Sequence, residues 1–405
     1  MTNTGRLCVV IGKGGVGKST VAAALALAAA RRRQRVLVVS FDIGHSVAEI
    51  FGVATGAKVV PVTENVDVLR IDPTAVVDDL YRSVHRMLAP AAAHHRLGVR
   101  VPDPRELIVA PGAADLASLD RLAGCVADDR WDLVILDAPP TQQWLTLVAV
   151  PEAVVGYLEG IWPQHLRVAA GVGTDVRAIV LVAVLEQIKK AADRVVAMLA
   201  RAEAVLVTTG ERAARSESAI LASAAGLYGM TLRGAVINRV LPNLSGASVP
   251  LVGAHPAVFW YEAIRTDRSH GLDPERAGRH FAEVVSLELS AYEPVGLALL
   301  EPLADRLVPL AEPAGDGPGA GGITVRLVSG SGLESRYAMC IPLPMVDSPS
   351  LRVGRVEDEV IVSAGEIRRR IRLASVLRRC RVDGAHFADG MLEIYFRPDP
   401  QVWPT

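Results

Sequence analysis

"RLCVVIGKGGVGKSTVAAALALAAARRR", Arg6–Arg33, is the stretch whose reading decides the fold. The apolar run "RLCVVI" (Arg6–Ile11) reads as a buried strand, and "STVAAALALAAARRR" (Ser19–Arg33) as an Ala-rich helix. Between them Gly12, Gly17, Lys18 and Ser19 satisfy G-x-x-x-x-G-K-[ST]. Small residues at those places let successive backbone N–H groups turn inward around phosphate oxygens. Strand, loop and helix follow in that order, so a bound phosphate meets the positive end of the helix. The expected cradle is Gly12, Gly14, Gly15, Val16, Gly17, Lys18, Ser19 and Thr20. Lys18 is placed to reach β and γ phosphates, and the Ser19 hydroxyl to bind Mg²⁺, a hard cation that takes oxygen ligands. Lys13 is a second lysine in the same loop. It follows the first glycine directly, where the chain has not yet turned around its own phosphates. A physical use for it is to reach a nucleotide held by a second subunit.

Working outward, apolar runs recur at Arg35–Asp42, Val66–Asp72, Trp131–Asp137, Glu203–Thr209 and Arg233–Arg239, with helix-length segments between them. Continuous Val/Ile/Leu strands alternating with helices predict a mostly parallel sheet covered by helices on both faces, an α/β fold of the P-loop type. Helical insertions are expected at about 75–125 and 152–200. "EPAGDGPGAGG" (Glu312–Gly322) reads as a flexible linker. Beyond it the period changes: "YAMCIPL", "VIVSA", "IRRRIRL" and "LEIYF" are short strands, and Leu392, Ile394 and Phe396 share one face. The expected division is residues 1–311 for the α/β domain, 312–322 for the linker and 323–405 for a small all-β module.

Composition narrows the classes. Hydrophobic residues make up 50% of 405, enough for a large core, and the net charge of −1 gives no case for nucleic acid or an anionic membrane as partner. Cys8, Cys125, Cys340 and Cys380 are far apart, with no C-x-x-C, which suits a reducing cytoplasm. No signal peptide is evident, and no apolar run has the length to span a bilayer.

Three motifs in order carry a family resemblance. Lys13 in "GKGGVGKST" resembles the signature lysine of deviant Walker ATPases. "FDIGHSVAEIF" (Phe41–Phe51) is similar to the switch I segment of the ArsA family, the arsenite-efflux and tail-anchored-protein-targeting ATPases, whose usual form is D-P-A-H-x-L-x-D. Asp42 and His45 keep that pattern; Ile43, Gly44 and Glu49 depart from it. "LDAPPTQQWLTLVAVPE" (Leu136–Glu152) resembles switch II, matching at Asp137, Pro140, Thr141 and Pro151, with Gln142 and Gln143 where the family has Gly-His. The segment ending "GAVINRVLP" resembles the family's last strand–helix–strand and puts Asn238 at the adenine-reading position. "YEPVGLALLEPLADRL" resembles the end of the ATPase domain. The C-terminal "Y…PLP-x-V" opening and "DGMLEIYF" close resemble the α-crystallin domain of small heat-shock proteins, a β sandwich that some ArsA-type ATPases carry in this place. The resemblance implies an ATP-hydrolysing homodimer in which Lys13 crosses to the partner's nucleotide.

The residues themselves supply the chemistry. Phosphoryl transfer to water needs charge neutralisation and a positioned nucleophile. Lys18 and a Mg²⁺ held by Ser19 neutralise phosphate oxygens. Asp137, ending a strand beside the loop, is placed to hold the Mg²⁺ shell through water. Asp42, ending the neighbouring strand, is the candidate to orient or deprotonate the attacking water. His45 reads equally as a packed residue or a switch. Arg368–Arg370 with Arg372 reads as a solvated face, His94–His95 as a solvent-facing pair, and Ala178–Leu185 as core packing. Two functions remain: nucleotide-gated capture or delivery of a hydrophobic or unfolded protein client, or the catalytic subunit of an arsenite or anion efflux pump. The first suits the β module; the second wants clustered thiols.

Overall fold

The computed structural model describes residues 5–41, 47–54, 58–95, 112–163, 167, 176–243, 255–269, 281–312 and 322–403. In the first body the described elements run β1 (Arg6–Gly12), α1 (Lys18–Arg31), β2 (Val36–Ser40), α2 (Val47–Phe51), β3 (Val60–Thr63), β4 (Val66–Arg70), α3 (Pro73–His95), α4 (Ala113–Ala127) and β5 (Leu133–Asp137). They continue with α5 (Thr141–Ile161), α6 (Val176–Leu199), β6 (Glu203–Thr208), α7 (Arg212–Leu227), β7 (Thr231–Val240), α8 (Pro256–Ser269), β8 (Glu283–Glu288) and α9 (Leu297–Ala311).

The eight strands form one sheet in the order β3-β4-β2-β5-β1-β6-β7-β8. Every pairing is parallel except β3 with β4. β2 and β5 are buried from end to end and β1 from Leu7 onward, as their Val/Ile/Leu runs require of a sheet covered on both faces. One apolar layer packs α1 and α9 on the sheet, and the other packs α4, α5, α6 and α7. The alanines of α1 let it lie close between sheet and α9, and Ala22, Ala23, Ala24, Ala26, Ala28 and Ala29 are fully buried. The antiparallel edge strand β3 and the far edge β8 leave weak sequence signals, because each is short and partly exposed.

The second body is all-β: β9 (Thr324–Ser329), β10 (Arg336–Pro342), β11 (Leu351–Val356), β12 (Glu359–Ala364), β13 (Ile367–Arg372), α10 (Ser375–Arg378), β14 (Cys380–Ala388) and β15 (Met391–Pro398). A four-stranded sheet, β14-β15-β10-β9, faces a three-stranded one, β11-β12-β13. Leu392, Ile394 and Phe396 share the buried face between them, as their alternation predicts.

Residues 313–321 of the expected linker lie outside the described residues. The two bodies nevertheless touch directly. Leu227, the last residue of α7, is fully buried inside the apolar core of the β module. Gly226 beside it lies so close to the Pro342 carbonyl that a Cβ would collide there. One reading of the arginine run is corrected here. Arg368, Arg370 and Arg372 are exposed, but Arg369 shares the inner face of β13 with Ile367 and Ile371. It bonds Glu152 of α5 and the Leu227 carbonyl. Alternation along the strand, rather than charge, decided its side.

The stretch read as core packing also differs. Val182, Val184 and Leu185 on α6 are half-buried and Ala183 is exposed. The side chains of Ala178 and of His94–His95 lie outside what the structure describes.

Candidate active site

The phosphate-loop pattern sits where the topology forms a crevice. β1 has β5 on one side and β6 on the other, and connections leave in opposite directions from that point. β1 ends at Gly12, β5 at Asp137 and β2 at Ser40, and Ser40 and Asp137 are in register. The C-terminal ends of three adjacent strands therefore point at one place.

The loop leads into α1, whose N-cap is Gly17 and whose first turn carries no acidic residue. The positive end of this helix is left for an anion rather than for one of its own carboxylates. Gly17 has φ +93°, a conformation that L side chains rarely adopt. Asn238, on β7, donates from Nδ2 to the Val16 carbonyl at 2.8 Å, and a Cβ on Gly17 would collide with that amide. Asn238 therefore braces the loop in this structure. Lys18 is buried, and its ammonium donates to the Lys13 carbonyl at 3.3 Å, folding across the mouth of the loop.

Ser19 and Asp137, separated by more than a hundred residues in the chain, come together: the Ser19 hydroxyl donates to Asp137 Oδ2 at 2.7 Å. Asp137 is 5% exposed. A hydroxyl and a carboxylate in contact beside a phosphate loop are two hard oxygen donors, which is the donor set Mg²⁺ takes. Among the described residues no group of three or more His, Cys, Asp and Glu side chains converges. A cation here would thus rely on phosphate and water oxygens for the rest of its shell. The segment after Asp137 faces the loop, with Pro140 at contact distance (3.9 Å) from where a Cβ on Gly14 would lie.

Lys13 does not join Lys18. Its ammonium lies 3.6 Å from Glu217 Oε1 on α7, and both side chains are about a third exposed. The other Glu217 oxygen accepts from the Thr141 hydroxyl at 2.7 Å, at the first residue of α5. Glu217 thus ties the loop, the start of α5 and α7 together. The sequence reading passed over it. The available signal was its place as the single acidic residue of α7, one turn into a helix that follows a buried strand. Asp42 and His45 lie outside the described residues. Gly12 and Val16 are buried, while Gly14 and Gly15 line the exposed rim. Ser19 and Thr20 stand at the first turn of α1, half-exposed.

Comparison with known proteins bears on the whole chain. Residues 5–308 match the family described as anion-transporting ATPase, and residues 334–396 match an HSP20-like domain found in ArsA proteins. Protein Rv2184c of Mycobacterium tuberculosis is 35% identical over 418 aligned residues, spanning 99% of this chain and 98% of that one. A protein of Aquifex aeolicus, provisionally named arsenical pump-driving ATPase 1, is 25% identical across 94% of this chain and 97% of its own length. A shorter match, 28% over 146 residues, joins 35% of this chain to 41% of an ATPase GET3 of Malassezia globosa.

Proposed function

The chain belongs to the anion-transporting (ArsA) ATPase family and carries that family's HSP20-like domain, and from this premise we propose that it works as a nucleotide-gated, Mg²⁺-dependent homodimer that captures or delivers hydrophobic or unfolded protein clients. In this reading Lys18 neutralises β- and γ-phosphate oxygens of its own ATP. Ser19 directly, and Asp137 through water, would hold Mg²⁺, whose charge offsets that of the phosphates. Asp42 orients the attacking water. Asn238 stands at the adenine-reading position, where it also braces the loop. Lys13 leaves Glu217 to reach the partner's nucleotide, so that catalysis depends on dimer closure.

The observation that carries the client reading is the apolar surface on α5 and α6. Tyr157 is 69% exposed. Val154, Val155 and Leu158 on α5, and Val182, Val184 and Leu185 on α6, are only half-buried. An exposed tyrosine with partly uncovered apolar side chains around it on two packed helices supports a contact site there. A small heat-shock-like module on the same chain fits such a role. The test is suppression of aggregation of a heat-unfolded protein, with ATP, with ADP and without nucleotide. The reading requires suppression that differs between nucleotide states.

The names of the arsenical pump relatives favour a second reading, the ATPase subunit of an anion pump. It wants a thiol cluster, whereas all four cysteines are free and buried, two in the α/β body and two in the β module. Turnover accelerated by arsenite or antimonite, with no effect on client aggregation, would select it. The described residues include no helix long and apolar enough to cross a membrane.

A further inference from the structure

Two helices that meet beside the phosphate site are both held by one arginine of the β module. α5 starts at Thr141, four residues after Asp137, and α7 carries Glu217, which bonds Thr141 and pairs with Lys13. Glu152 lies about 16 Å farther along α5, at 1.5 Å per residue. The residue before it is Pro151, which cannot donate to the preceding turn and leaves a soft point in the helix. Arg369 grips α5 on the far side of that point. Its Nε lies 3.2 Å from both Glu152 carboxylate oxygens, and Nη2 donates to Oε1 as well. Nη1 donates to the Leu227 carbonyl, at the negative end of α7. The guanidinium lies over the Tyr228 ring, 4.6 Å from its centroid.

This is not a surface ion pair of small consequence. The Arg369 side chain is 9% exposed, with Leu227 sunk in the module's core beside it. A planar fork that serves a carboxylate, a carbonyl and an aromatic face at once is a job for arginine and not for lysine. α5 and α7 are therefore joined twice: beside the phosphate site through Thr141 and Glu217, and again, midway along α5 and at the C-terminal end of α7, through Arg369. The second joint belongs to the other domain.

We propose that Arg369 is a positioning residue for ATP hydrolysis: from the β module it fixes α5 and α7, and through α5 the Asp137–Thr141 segment at the phosphate site. The inference rests on the ATPase assignment, which wild-type turnover checks separately. Without Arg369, α5 and α7 keep only the joint at Thr141 and Glu217, and the Asp137–Thr141 segment loses part of what sets it against the loop. Ground-state nucleotide binding, made mostly by the loop, changes little.

The experiment uses the full chain and three variants, Arg369→Ala, Arg369→Lys and Glu152→Gln, with ATP turnover measured against ATP concentration. Arg369→Ala should lower kcat about three- to tenfold, short of the ~100-fold that outright misplacement of reacting groups can cost, with KM for ATP within about twofold. Arg369→Lys keeps the charge but not the fork, and should fall between. Glu152→Gln leaves Arg369 bound to Leu227 and the interface closed, and should lower kcat about threefold at unchanged KM. Hydrogen exchange across Leu351–Arg372 shows in each case that the module is folded. Unchanged kcat in folded Arg369→Ala overturns the proposal. If that variant does not fold, unchanged kcat in Glu152→Gln overturns it by itself. A lowered melting temperature with wild-type kcat would make Arg369 structural only.

Discussion

Replacing Gly17 by alanine tests whether the shape of the phosphate loop is held as described. Gly17 sits at φ +93° and ψ 30°, and a Cβ there costs roughly 1–2 kcal/mol. The same Cβ collides with Asn238 Nδ2, so the amide must turn away and lose its bond to the Val16 carbonyl. A neutral hydrogen bond contributes about 1 kcal/mol, bringing the total to about 2–3 kcal/mol. If the loop kept its shape, that cost would appear as lost stability, on the order of 5 °C in melting temperature. Gly14 and Gly15 are exposed and the strands around them are not, so the loop is the softer party. The cost should therefore appear mainly in nucleotide affinity, as a drop of about 30- to 150-fold by calorimetry. Asn238→Ala alone removes one hydrogen bond, worth about fivefold. Added to Gly17→Ala it should change almost nothing, because that bond is already broken. The reasoning is refuted if Gly17→Ala binds nucleotide within twofold of wild type and melts within a degree of it. Full additivity of the two substitutions would refute the Asn238 part.

Asp42→Asn should bind ATP and lose most hydrolysis, whereas Lys18→Ala should weaken binding itself; equal turnover of wild type and Asp42→Asn would remove Asp42 from its assigned role. Leu227→Ala should destabilise the chain by about 2–4 kcal/mol, because its side chain fills the β module's core, and a denaturant midpoint equal to wild type would mean the two bodies are not docked there. Burial pushes the Cys8 thiol up from 9.0 to about 12. The native thiol stays protonated where the unfolded one ionises, so its contribution is intact below pH 9 and is lost as pH rises toward about 12. Cys8→Ala should flatten the fall of stability over that window, and identical slopes would contradict the burial of β1.

The parts of the fold that were legible in the sequence are those written in local pattern. β1, the loop and α1 follow from an apolar run, four glycines and an alanine-rich helix. β5 and β6 follow from uninterrupted Val/Ile/Leu, and the inner face of β15 from strict alternation. β9 was missed because all its residues are exposed, and β3 because it is four residues long. At the site, the positions of Lys18, Ser19 and Asp137 were legible because each closes a recognisable motif, and Ser19 and Asp137 come into hydrogen-bond contact. Glu217 and Arg369 were not, since their partners lie far away in the chain and no periodicity records a distant carboxylate. For Arg369 a partial signal existed. In "IRRRIR" the middle arginine shares its face with two isoleucines, and a charge on an apolar face must find a partner.

The central claim is that Lys13 acts on the partner's nucleotide, and a mixture of two inactive forms tests it most directly. Lys13→Ala subunits keep Asp42, and Asp42→Asn subunits keep Lys13. In a mixed dimer the site in the Lys13→Ala subunit receives Lys13 from its partner and has its own Asp42, while the other site lacks both. Random pairing makes half of the dimers mixed, each with one working site, so the mixture should recover about a quarter of wild-type ATP turnover from two near-silent parents. Mixed dimers shown to form by native mass spectrometry, yet no more active than either parent, would contradict the account and leave Lys13 as the ion-pair partner of its own Glu217.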